Sequence, residues 1–130
     1  MRKLVDQFTL EYAFPDKSSV TIGRNSGCDV VIPPVNVRSN PHFYEDVSLY
    51  AKERDINSEE VYLSVSRFHA TADMKYGKTT ISDGCIVDGK QRFSSFGTFV
   101  NDVPARITPQ QLKNGDHIKM GKLELTYKEE

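Results

Sequence analysis

Apolar residues along this chain come in short β-branched or aromatic runs separated by turn residues, a texture that predicts many short strands rather than helices. The runs are Leu4-Val5, Phe8 to Tyr12, Ser19 to Ile22, Val30 to Ile32, Val61 to Leu63, Phe68 to Ala72, Thr79 to Ile81, Thr98 to Val100, His117 to Lys119 and Leu123 to Tyr127. Reversals fall between them. Pro15-Asp16, Tyr76-Gly77-Lys78, Asp88-Gly89-Lys90, Asn114-Gly115-Asp116 and Met120-Gly121-Lys122 supply the positive or fixed φ that tight turns need. The architecture predicted is all-β: an antiparallel β-sandwich of about eleven short strands with no domain boundary inside residues 1–130.

Two segments break the rhythm. Pro33 to Glu60 is long, polar and charged, and reads as a surface insertion of the kind long loops usually are. Within it Asn40-Pro41 can cap a short helix with Phe43, Val47, Tyr50 and Ala51 on one face. A smaller insertion, Gly84 to Phe93, lengthens the approach to the loop that follows it. No internal repeat or low-complexity tract is present.

Composition narrows the function classes. At 130 residues the chain holds one sizeable core and no second of similar size. With 17 Lys and Arg against 18 Asp and Glu it lacks the basic excess of a protein that grips bulk nucleic acid, so no direct nucleic-acid partner is expected. Met1-Arg2-Lys3-Leu4-Val5-Asp6 leads into no apolar signal region and no run is long enough to span a bilayer, so a soluble, intracellular protein without a membrane partner is expected. Cys28 and Cys85, the two cysteines, lack Cys-x-x-Cys spacing and read as ordinary thiols rather than a disulfide or zinc site.

The candidate chemistry lies in three blocks at strand ends: Gly23-Arg24-Asn25, Ser66-Arg67-Phe68-His69, and Ser95-Phe96-Gly97-Thr98-Phe99-Val100-Asn101. Together they contain what a phosphate receptor needs. A phosphothreonine carries a charge of about −1.5 to −2 and strong acceptor oxygens, so its pocket wants a fixed cation and neutral donors. Arg24 offers forked, charge-assisted donors, and Gly23 before it lets the chain turn sharply. Ser66 and Ser95 can donate hydroxyl protons, while Arg67 adds a second charge or a backbone donor.

The order of these blocks resembles the forkhead-associated (FHA) family: Gly-Arg after an early strand, then Ser-x-x-His, then Ser/Thr-x-Gly-Thr-x-Val-Asn. The likeness runs on through Cys28 to Ile32, Leu112 to Ile118 and Met120-Gly121, covering roughly residues 19 to 127 outside the two insertions. It implies a phosphothreonine-peptide reader in which Arg24 and Ser66 hold the phosphate and Arg67 helps hold the phosphate or the peptide. Ser95 stands where the family places a contact to the phosphate or the threonine methyl. Gly23, His69, Gly97 and Asn101 would shape the binding loops. Phe96 departs from the family, which often has a peptide-binding Asn there; losing that amide would weaken docking by about 1 kcal/mol. An aromatic at this place, followed by Gly-Thr-Phe-Val-Asn, is similar to the nibrin-like DNA-repair branch, which implies a role in signalling or the DNA-damage response and a nuclear location.

Other classes fit less well. Ser66 and His69 lie on no Gly-x-Ser-x-Gly elbow, no phosphate-cradling Gly-x-x-x-x-Gly-Lys-Ser/Thr loop exists, and His42, His69 and His117 are too scattered for a metal set. Neither catalysis nor a cofactor or metal is expected. The alternative is an interaction or dimerisation module of the same fold with phosphate binding lost or secondary, for which Phe96 and the Pro33 to Glu60 insertion leave room. Arg38, Arg54 and Arg67 would favour an acidic or second phosphorylated residue near the phosphothreonine.

Overall fold

The computed structural model describes residues 1–34 and 58–129. The short helix expected around Asn40-Pro41, and with it Arg38, His42 and Arg54, lies outside the described residues. Two sheets face each other. One has six strands in the order β10-β9-β12-β13-β1-β2 and the other five in the order β11-β6-β5-β3-β4. Their ranges are β1 Arg2–Asp6, β2 Glu11–Ala13, β3 Ser19–Gly23, β4 Val30–Val31, β5 Ala70–Lys75, β6 Lys78–Asp83, β9 Thr98–Val100, β10 Val103–Pro104, β11 Gln110–Leu112, β12 His117–Met120 and β13 Leu123–Glu129. β7 (Cys85–Val87) and β8 (Lys90–Arg92) form a separate two-stranded hairpin.

Side-chain alternation explains the sandwich. Val20 and Ile22 of β3, Thr79, Ile81 and Asp83 of β6, and Leu123, Leu125 and Tyr127 of β13 all point inward, with exposed or half-buried residues between them. Leu4, Ile32, Ala70, Ala72, Ile118 and Met120 complete a core in which each is fully enclosed. A large aliphatic side chain sealed in this way stabilises the fold by about 1.5–3 kcal/mol.

The sandwich is the one expected from the sequence, and four details are added to it or differ. Thirteen strands stand among the described residues, since β7, β8, β10 and β11 are too short to register as apolar runs. One ladder is parallel, pairing Ile22 with Val30 and Gly23 with Val31. Val61-Tyr62-Leu63 is the end of a helix, α1 (Ser58–Leu63), rather than a strand. Val61, Tyr62 and Val65 are buried, a spacing that falls on one helical face, while Leu63 is turned out. Lastly, the Gly84 to Phe93 insertion is the β7–β8 hairpin, and the reversal expected at Asp88-Gly89-Lys90 is its turn, with Asp88 at φ 51° and Gly89 at φ 77°.

A buried carboxylate fixes α1 to the sandwich. Asp6 accepts from the Tyr62 and Tyr12 hydroxyls, each at 2.7 Å, and from the Phe8 and Leu10 amides. Burial pushes its carboxyl up, against the pull of those four hydrogen bonds. The chain leaving α1 is therefore anchored just before it enters the segment containing Ser66.

Candidate functional site: a basic groove between three loops

Gly23 ends β3 at a point where no side chain fits. A Cβ there would stand 2.1 Å from the Arg67 carbonyl oxygen and 3.0 Å from that of Ser66. The segment 64–69 lies directly across the strand end, and two backbone bonds hold it: the Arg24 amide donates to Ser66 O at 3.1 Å and the Asn25 amide to Arg67 O at 3.0 Å. Arg24 is half-buried, and its Nε donates to the Val65 carbonyl, which fixes the plane of the guanidinium.

His69 braces the same loops from beneath and is fully buried. Its Nδ1 accepts the Ser66 amide at 2.9 Å, so the ring carries its proton on Nε2 and donates to the Gly97 carbonyl at 2.9 Å. Its backbone joins β3 and the hairpin, the amide donating to Ile22 O at 2.8 Å and the carbonyl accepting from Gly84 at 2.7 Å. Ser66 then binds the third loop directly, because the Ser95 amide donates to Ser66 Oγ at 2.9 Å. A hydroxyl that accepts in this way keeps its own proton for a ligand oxygen.

Burial lowers the His69 pKa, partly offset by the Gly97 carbonyl and the Asp83 charge. The imidazole is thus held neutral in the fold, and the unfolded chain binds the proton more readily. Stability should be level above the ordinary histidine value, about pH 6.5, and decline as pH falls from there toward the lower folded value. Urea melts between about pH 7.5 and pH 5.5 check this, and His69→Gln should flatten the slope across that interval.

A second buried carboxylate sets the third loop. Asp83 Oδ1 accepts from the Ser94 hydroxyl and from Thr98 Oγ1 at 2.8 Å, and Oδ2 from Arg106 Nε at 3.0 Å. Burial alone would raise its pKa, yet these hydrogen bonds outweigh burial and leave it below the usual carboxylate range. Arg106 also donates to Ser94 O at 2.6 Å and lies over the Phe93 ring, 5.2 Å from its centroid. Ser94 Oγ accepts the Gly97 amide at 2.7 Å, which closes the turn at φ 91°.

The result is a groove of about 540 Å³ lined by Arg24, Ser66, Arg67, Phe68, Val87, Arg92, Phe93 and Ser95. Four of the five expected binding residues meet there. Phe96 does not line it: 61% exposed, it faces a neighbouring depression with Leu63, Ser64, Glu59, Glu60 and Lys122. Gly23, His69 and Gly97 stand beneath or beside the groove. Asn101 sits farther along at φ 48°, its side chain bridging Asp116 Oδ1 and the His117 amide as a turn former. Both thiols are free and buried, and burial pushes Cys28 up to about 11, so it stays protonated.

Arg92, Phe93 and Val87 were not among the residues expected in the groove, nor was Asp83 beneath it. Asp83 had a signal: with Thr79 and Ile81 inward on β6, strict alternation points a carboxylate into the core, where it needs partners.

The FHA domain profile matches residues 20–121, a span that includes every block brought together at this groove. The chain belongs to the FHA family. FHA domains are interaction modules, and the fold agrees with solved members. An FHA domain studied for phosphothreonine-dependent interactions superposes with a TM-score of 0.62 at 19% identity, covering 99% of this chain and 96% of that one. The FHA domain of yeast Dun1, in complex with a doubly phosphorylated peptide derived from Rad53, gives 0.56 at 23% identity over 98% and 72%. That of the CT664 protein from Chlamydia trachomatis gives 0.59 at 13% over 99% and 97%. Among curated proteins none matches in sequence.

Proposed function

We propose that this FHA domain binds a phosphothreonine-containing segment of a partner protein and recruits that partner. The observation that carries the reading is the composition of the groove, in which three arginines and two serines converge, with no carboxylate among the described lining residues. Phosphate oxygens would be held by Arg24 and Ser66, with Arg67 and Ser95 beside them. The partner segment would lie extended across the loops. Family membership and solved FHA domains with phosphopeptides support the same conclusion.

The whole of residues 1–130 is read as this single domain, with no catalytic role. The Phe96 to Asn101 block favours a signalling or DNA-damage context of the nibrin-like kind and a nuclear location. Fluorescence anisotropy tests the central point. A phosphothreonine peptide library should bind while its unphosphorylated counterparts do not, and phosphoserine versions should bind more weakly. Equal binding with and without phosphate would remove the reading.

One observation favours the second reading, docking or homodimerisation with phosphate secondary. Leu63 and Phe96 are 51% and 61% exposed and share one depression. Light scattering across concentration separates the two, since a monomer at all concentrations removes the dimer.

A further inference from the structure

We propose that Ser64 is a positioning residue for the phosphate site, acting through the β12–β13 turn to hold segment 64–69 and the third loop at a fixed spacing. This rests on the phosphothreonine reading of the groove and says what sets its geometry. Ser64 is buried and follows the last residue of α1. It precedes Val65, whose carbonyl fixes the Arg24 guanidinium, and then Ser66. Its hydroxyl donates to the Val61 carbonyl in the last turn of α1 at 2.5 Å and accepts the Lys122 amide at 2.7 Å. One side-chain oxygen thus joins the helix end to the turn.

The backbone of the turn carries the rest of the connection. Met120 pairs with Leu123 at the end of the β12–β13 ladder, so Gly121 and Lys122 form a two-residue reversal, with Gly121 at φ 62°. Their amides stand outside the ladder and need partners elsewhere. Lys122 donates to Ser64 Oγ, and Gly121 donates to the Gly97 carbonyl at 3.3 Å. That carbonyl also accepts from His69 Nε2, and His69 Nδ1 accepts the Ser66 amide. The contacts therefore close a ring that runs from Ser64 through the turn, Gly97, His69 and Ser66, and back to Ser64 along the chain. The turn lies close against it, since a Cβ on Gly121 would stand 2.5 Å from Ser64 O and 2.6 Å from Ser64 Oγ.

A closed ring fixes what an open one lets drift. Ser66 and Ser95 both line the groove and meet there through the bond from the Ser95 amide to Ser66 Oγ, so a small shift between their loops changes the site directly. Loss of the Ser64 hydroxyl opens the ring at the Lys122 amide and frees segment 64–69 to move against the third loop. Lys122 and Glu60 also join the turn to α1 as an ion pair, but both side chains are more than half exposed, so that pair is weak beside the buried hydroxyl.

The test is Ser64→Ala in the whole chain, set beside Ser64→Thr, which keeps the hydroxyl, and Leu4→Val, which loosens the core at β1. Ser64 borders a depression of about 400 Å³ that leaves room for the threonine methyl. In NMR spectra of the ligand-free protein the Ser95 amide signal of Ser64→Ala should move upfield as its bond to Ser66 Oγ lengthens. Affinity for a phosphothreonine peptide, read by fluorescence anisotropy where every variant is folded, should fall about tenfold. Ser64→Thr and Leu4→Val should both keep the signal in place and bind within about twofold of wild type, although Leu4→Val melts lower. Wild type alone gives a second measurement. A bound phosphothreonine peptide should slow hydrogen exchange at Gly121 and Lys122 about tenfold more than at Lys78, in the turn at the opposite end of β5 from His69. A Ser64→Ala protein that binds as wild type does or leaves the Ser95 signal unmoved, an equal loss in Leu4→Val, or equal protection at the two turns overturns the proposal. Failure of the parent reading looks different: phosphate would then make no difference to wild-type binding, whatever the Ser95 signal does.

Discussion

Arg24→Ala should abolish measurable phosphopeptide binding while leaving the fold intact. The side chain is half-buried in the groove wall with its Nε fixed by the Val65 carbonyl, which sets the plane of the guanidinium before a ligand arrives. Charge-assisted bonds from such a pre-oriented fork are roughly twice as strong as neutral ones. Their loss would also leave a bound phosphate facing less positive charge. A penalty of about 3 kcal/mol, more than a hundredfold in affinity, is expected by anisotropy. On the stability side the bond to Val65 is lost, at a cost of about 1 kcal/mol for that bond. Arg24→Lys refines the result. It keeps the charge but not the fork, so it should recover only part of the binding. If Arg24→Ala bound a phosphothreonine peptide as wild type does, the groove would not be the phosphate site.

How much of this was legible beforehand follows from the physics of each element. Strands β3, β12 and β13 alternate apolar and polar residues over four or more positions, and that period is enough to name them and their inner face. Val61-Tyr62-Leu63 carries no period of its own. Three consecutive apolar residues fit a strand or a helix, and only the tertiary bond from Tyr62 to Asp6 and the burial of Val65 decide for the helix. β10 and β11 exist because neighbouring strands offer them partners, as Val103 pairs with Val100 and Leu112 with Thr79. Nothing local announces them.

The site divides in the same way. Arg24, Ser66, Arg67 and Ser95 could be expected together because their blocks follow the order of the FHA family at turn-flanked strand ends, and the four line one groove. Phe96 could not be placed, because its position after Ser95 in sequence says nothing of which side of the loop it leaves by. The Asp83 bonds to Ser94 and Thr98 set that turn, and the ring emerges beside Leu63 and Lys122 instead of over the groove. Arg92 was hidden for a different reason. The segment from Gly84 to Phe93 reads as an insertion, and only the pairing of Cys85 with Arg92 shows which of its side chains turn toward the groove.

Gly23→Ala should be severely damaging for the addition of a single methyl group. Gly23 does not occupy a positive-φ conformation, so its role is space rather than backbone freedom. A Cβ would overlap the Arg67 carbonyl carbon at 2.7 Å as well as its oxygen at 2.1 Å, and both are backbone atoms that no rotamer change removes. Segment 64–69 would have to retreat by about 1 Å to reach ordinary contact. That retreat strains every bond tying the segment to its neighbours: Arg24 to Ser66, Asn25 to Arg67, Ser95 to Ser66 and His69 to Gly97. A loss of about 3 kcal/mol in urea melts is expected, together with loss of phosphopeptide binding because Ser66 and Arg67 move with the segment. Gly89→Asn is the control. A Cβ there meets nothing within 4 Å, and Asn tolerates the positive φ of the hairpin turn, so the cost should stay within about 1 kcal/mol with binding retained. Arg24→Ala, by contrast, should remove binding without forcing segment 64–69 to move. A Gly23→Ala protein as stable as wild type and still binding would mean that segment 64–69 can shift without disturbing the phosphate site, which the bonds through His69 and Ser95 oppose.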